Sequence, residues 1–90
     1  MGLRPVVIQP GGRGAAHVHG GIEVLYILHE LVRVRLAGQA AMVVPMGQGM
    51  YHLPYTAVQE VNAGSDVARE LAFFVTAVGQ PFRRNVDFSP

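Results

Sequence analysis

Short apolar segments broken by glycine and proline run the length of the chain. Between residues 31 and 37, Val32, Val34 and Leu36 alternate with Arg33 and Arg35. That period of two describes a strand with one covered face and one wet face. Segments 22–28 and 67–78 are more continuously apolar, as strands covered on both faces would be. Segments 3–9, 40–44, 50–53 and 58–62 supply shorter candidates. The run Phe73-Phe74-Val75-Thr76 favours strand over helix in the one stretch where Ala68, Glu70, Leu71 and Ala72 would suit either. Breaks recur at Pro10-Gly11-Gly12, Gly20-Gly21, Gly38, Pro45 to Gly49, Pro54, Gly64 and Gly79 to Pro81. Regular punctuation of short strands predicts an all-β sandwich or barrel with little or no helix. Residues 80–90 are expected to form an extended arm, lying on the domain or on a neighbour.

Ninety residues leave room for one domain. Half of them are hydrophobic and 14% are charged, which excludes a disordered chain. The seven basic residues are all arginine, scattered except for Arg83-Arg84, and the net charge is +1. No basic stripe exists for a nucleic-acid backbone, so nucleic acid is not an expected partner. No apolar run reaches the length of a membrane span, so no membrane partner is expected either. With no cysteine, a disulfide scaffold and a thiolate metal site are impossible. The first ten residues do not read as a signal peptide, and the chain reads as cytoplasmic. No strand–loop–helix context follows the glycines at 11, 12 and 14, and no activated serine or cysteine motif is present.

The candidate chemistry lies in the histidines. His17 and His19 are two residues apart, so on a strand both face the same side, about 7 Å apart. Glu23 follows at the start of an apolar strand, where a carboxylate is costly unless paired or bound to a cation. Two imidazoles and a carboxylate suit a divalent transition metal with positions left open. The plainer alternative makes them loop histidines and a solvated acid. His52 shares a face with Met50. It either adds a ligand or general base to the site or lies on the outer face of a sheet. His29 falls at a turn and is expected to be solvated. Tyr26 and Tyr51 read as sheet packing, and Met42, Met46 and Met50 as core filling or the walls of a soft pocket.

The segment from Gly11 through His17-Val18-His19 to Glu23 resembles the first signature motif of the cupin superfamily, Gly-x5-His-x-His-x3-Glu-x6-Gly. The match holds at each position through the glutamate. The likeness extends across residues 11–37 as motif and hairpin, and across 45–64 as a degenerate second motif. Gly79-Gln80-Pro81-Phe82 is similar to a segment of small quercetinase-like cupins. The resemblance implies a small jelly-roll β-barrel. It also implies one divalent metal (iron, manganese, nickel, zinc or copper) held by His17, His19 and Glu23. A fourth ligand, a histidine, belongs to the second motif Gly-x5-Pro-x-Gly-x2-His-x3-Asn. Here six residues separate Gly47 from Pro54, Thr56 replaces a glycine, Gln59 replaces the histidine, and Asn62 comes one residue early. Gln59 is therefore expected to offer its weaker amide oxygen. Glu30 stands where the first motif closes on glycine, and a rebuilt turn around His29-Glu30-Leu31 is expected.

The function implied is that of a metal-dependent enzyme of dioxygenase, isomerase, lyase or cyclase type. Its small-molecule substrate would sit in the barrel and be mostly apolar. The alternatives are a binding module with a degenerate site, or a protein whose metal only stiffens the barrel. Residues 1–10 are expected to carry a strand that pairs two copies into a homodimer.

Overall fold

A computed structural model describes residues 2–76 and 83–86. Those residues form nine strands and no helix. The strands are β1 (Gly2–Ile8), β2 (His17–His19), β3 (Glu23–His29), β4 (Val32–Leu36), β5 (Met42–Val44), β6 (Gly49–His52), β7 (Val58–Asn62), β8 (Ala68–Phe74) and β9 (Arg83–Asn85). They build two antiparallel sheets, β1-β8-β3-β6 and β5-β4-β7-β2-β9. Of the expected C-terminal arm, Arg83 to Asn85 form β9 and pair with β2; 80–82 and 87–90 lie outside the described residues.

Alternation builds the core. Val32, Val34 and Leu36 of β4 turn inward with Val44 and Val58, and meet Ile27 and Ala68 of the other sheet. Arg33 and Arg35 point away from them. Two facing sheets of this kind make a jelly roll, although no ladder joins them into a closed barrel among the described residues. Each long side is a seam. One runs between β1 and the β2–β9 edge, the other between β6 and β5.

Two expectations change here. Segments 22–28 and 67–78 are not covered on both faces. Val24, Tyr26, Leu28 and Phe73 keep 40–45% exposure on the outer side of the first sheet. The turn after β3 is not rebuilt either. Glu30 itself adopts the left-handed conformation, at φ 67°. A side chain there costs on the order of 1 kcal/mol, and its own carboxylate offsets the strain by accepting the Asp66 amide at 3.0 Å. His29, exposed as expected, meets Asp66 Oδ2 at 3.0 Å.

Two polar devices fix the ends of the sandwich. Buried Asn62 donates to the carbonyls of Ile8 (2.9 Å) and Asp66 (2.8 Å) and accepts from Gly64 N (2.9 Å), tying β7 to β1 and to the 64–66 turn. Gly21 lets the turn before β3 press on the strand end beyond β8. A Cβ there would collide with the carbonyl oxygen of Val75.

Candidate metal centre

β2 is only three residues long, and alternation aims both of its histidines into the sandwich. Glu23 opens β3 in the opposite sheet and faces them. The three residues are 8%, 3% and 5% exposed, and one potential ligand atom from each lies within 4.8 Å of the others. The histidine pair and the glutamate predicted from the sequence thus converge from two sheets.

The donor chemistry fits a cation. His17 Nδ1 lies 2.8 Å from the Ala15 carbonyl, which can only accept, so Nδ1 carries the proton and Nε2 keeps its lone pair. Burial holds the His17 pKa below 6.5 against that hydrogen bond, which pulls the other way. The ring is therefore neutral at neutral pH. Burial pushes Glu23 upward, but contacts with His19 and His52 outweigh it and hold the carboxyl at about 2. Its Oε2 is 3.1 Å from His19 Nε2. One neutral imidazole with its lone pair free, a second beside it and an ionised carboxylate are the ligand forms a divalent transition metal takes.

His52 joins this group from behind. It stands opposite Glu23 in the β3–β6 ladder, is 2% exposed, and its Nε2 donates to Glu23 Oε1 at 2.8 Å. Of the two readings of His52, the interior one describes its position. It holds the Glu23 carboxylate in place, as groups just outside a metal's ligands do where a metal is bound.

Gln59 does not reach the centre. On β7, Val58, Glu60 and Asn62 turn inward, which sends Gln59 outward, where its amide donates to the Gly14 carbonyl at 3.1 Å. The histidine of the second motif stands four residues before its asparagine. Counting back from buried Asn62 reaches Val58, which pairs with His17 and is 1% exposed. Valine thus stands where the second motif would place its histidine. Counting from Asn62 instead of Pro54 would have found this in the sequence.

A cavity of about 270 Å³ opens beside the triad along the β1 seam, lined among others by Arg4, Arg83, Glu60 and Glu70. Sequence reading missed both glutamates. Burial raises Glu60 well above the usual carboxylate range, and the charges of Glu70 and Glu23 push it the same way; burial also raises Glu70. The two carboxyls are hydrogen-bonded to each other, so one proton is shared between them. Glu60 Oε1 and Glu70 Oε2 are buried without a further partner. A second cavity of about 440 Å³ opens on the β6 seam, lined by Leu36, Met42, Met50 and Leu53 and reaching His52. Of the three methionines flagged in the sequence, Met42 and Met50 thus line this pocket, and Met46 lines a separate, shallower one with His29, Glu30 and Leu31. The apolar space lies behind His52, and the walls nearest the triad are charged.

No protein-family model matches the sequence, and no curated protein matches it. Solved structures do resemble it. A cupin-like protein from Thermotoga maritima superposes with a TM-score of 0.82 at 19% identity, over 93% of this chain and 62% of its own. An oxalate oxidase in complex with the substrate analogue glycolate gives 0.82 at 20%, over 93% of this chain and 45% of its own. A DMSP lyase from Ruegeria pomeroyi gives 0.81 at 13%, over 92% and 41%. The chain thus spans under two thirds of each of these three proteins. At these identities the likeness shows the fold alone: a double-stranded β-helix like that of these cupin-like proteins. Among the described residues, no helix is long and apolar enough to cross a membrane.

Proposed function

We propose that this protein is a metal-dependent cupin enzyme that acts on a small organic anion. One divalent transition metal, from among iron, manganese, nickel, zinc and copper, would be held by His17, His19 and Glu23. The observation that carries this reading is the convergence of three buried ligand atoms within 4.8 Å, from two different sheets, beside a cavity. A metal bound there supplies a Lewis acid or a dioxygen-binding position, which suits oxidase, dioxygenase, lyase, isomerase and cyclase chemistries alike.

The surrounding residues narrow the substrate. Arg4 and Arg83 add two positive charges to the cavity wall, and a volume of about 270 Å³ admits only a small molecule. A carboxylate-bearing substrate answers both features better than the mostly apolar molecule the sequence suggested. Oxalate, the substrate of one structural neighbour, is such an anion. The Glu60–Glu70 pair holds a proton at the wall of this cavity and can lend it to a substrate oxygen. His52 keeps Glu23 oriented throughout.

A second reading rests on Val58. With no fourth side-chain ligand, the centre would bind a metal and a small molecule without turning the molecule over.

The test is metal content per chain in freshly purified protein, beside His17→Ala and Glu23→Ala. Product formation and oxygen uptake then follow with a panel of small carboxylates. Close to one metal per chain, lost in both variants, together with turnover of one carboxylate, supports the enzyme. Metal without turnover favours the binding module. Wild type that stays empty after reconstitution overturns both.

A further inference from the structure

The cavity on the β6 seam is chemically unlike the one beside the triad, and among the described residues the two share no lining residue. Arg4, Arg83, Glu23, Glu60 and Glu70 give the first cavity charges of both signs. Among the described residues, no arginine, aspartate or glutamate lines the second. At about 440 Å³ it is the larger of the two, within the usual range for a small-molecule pocket.

Strand register explains the difference. Met42 stands opposite Val34, and Met50 stands opposite Leu25. Val34 and Leu25 are buried, and residues opposite each other in a ladder share a face. Both methionines therefore turn inward, one from β5 and the other from β6. These strands are edges of different sheets, and no ladder closes the gap between them among the described residues. The space is left to Met42, Met50, Leu36 and Leu53, with Gln39 and Thr56 as uncharged polar groups. Unbranched thioether side chains adapt to an occupant and make favourable contacts with aromatic rings.

His52 stands between the two cavities. Glu23 lines the first and His52 the second, and His52 Nε2 donates to Glu23 Oε1 at 2.8 Å. With its hydrogen on Nε2, the neutral ring keeps a lone pair on Nδ1. That atom is buried and has no hydrogen-bond partner. A buried acceptor without a donor is a cost that an incoming donor removes. A carboxylate would bring no donor and would find no arginine here. A hydroxyl on an apolar body suits both the walls and the ring.

We propose that the second cavity binds a small uncharged molecule, an aromatic ring carrying a hydroxyl. The ring would lie against Met42 and Met50, and the hydroxyl would donate to His52 Nδ1. This site is separate from the anion cavity and does not depend on a metal at the triad.

Phenol, toluene and benzoate test this by titration into the whole protein at neutral pH, followed by NMR of isotope-labelled methionine methyls. Phenol should shift the Met42 and Met50 signals and leave Met46, which lines a separate pocket, unmoved. Toluene has the same shape without the donor and should bind about fivefold more weakly. Benzoate should bind there at least about tenfold more weakly. Met42→Trp, which fills the cavity from a partly exposed position, should weaken phenol binding by at least about tenfold. Circular dichroism checks that this variant folds. Phenol that leaves Met42 and Met50 unmoved, toluene bound as tightly as phenol, or an equal shift at Met46 would each overturn the proposal. So would methionine shifts that follow protein concentration instead of phenol, the mark of a second copy covering the opening. Metal content, read in the same samples, reports separately on the proposed function.

Discussion

His52 Nε2 lies 2.8 Å from Glu23 Oε1, directly across the ladder that joins β6 to β3. A backbone register thus sets the position of a side chain that in turn orients the carboxylate of the proposed metal site. In His52→Ala the carboxylate loses that restraint. Metal affinity should fall by about 10–100-fold, the usual effect of losing such a partner, with stoichiometry unchanged. His52→Gln, which keeps a donor, should recover part of the loss. Competition titration against a chelator measures both; affinity equal to wild type in His52→Ala would remove this role.

Val58, where the second motif would place its histidine, gives a sharper test. Val58 is inward and pairs with His17, whereas Gln59 is outward. Val58→His should tighten metal binding by at least about tenfold, roughly 1.4 kcal/mol. Gln59→His should leave it unchanged. Tighter binding in Gln59→His alone would mean that strand β7 is shifted by one residue.

The Glu60–Glu70 pair predicts a pH signature. Both carboxyls are raised in the folded state, so the folded chain binds protons that the unfolded chain has released above about pH 4.5. Their contribution to stability is fully present below that pH and is lost as pH rises towards the folded values. Glu60→Gln keeps a donor for Glu70 and removes this loss. In metal-free protein its Tm should exceed wild type at pH 8, by the equivalent of about 1–2 kcal/mol, and the advantage should shrink towards pH 4.5. An advantage of equal size at both pH values would contradict the shared proton.

Gly21→Ala tests the turn that delivers Glu23. The new Cβ would meet the Val75 backbone carbonyl, which has no flexible end to move aside. A loss of at least about 2 kcal/mol is expected, in the range of overpacking. Chemical denaturation measures it; near-wild-type stability would show that the turn can open.

Much of this is legible in the amino-acid sequence alone. The valine–arginine alternation of β4 fixed its two faces, and His17-x-His19-x3-Glu23 brought together the residues that converge. What escaped had physical causes. β7 reads Val-Gln-Glu-Val-Asn, with apolar residues at both ends of an odd interval, so its hydrophobic pattern does not reveal which side faces in. Only the pairing of Val58 with His17 and of Val34 with Glu60 settles it. Glu70 is concealed in the same way: an acid among Ala68, Leu71 and Ala72 looks like the wet side of a strand. The exposure of the first sheet's outer face escapes the sequence because continuous apolarity does not tell a sheet covered on both faces from one covered on a single face.

The bond from His17 to the Ala15 carbonyl has a consequence for how the site fills. His17 already presents a bare ring nitrogen near neutrality, and Glu23, at about 2, has lost its proton far below it. Neither group has a proton to shed when a cation arrives. For these two donors, uptake near neutral pH follows the free metal concentration of the surroundings and is insulated from modest acidification.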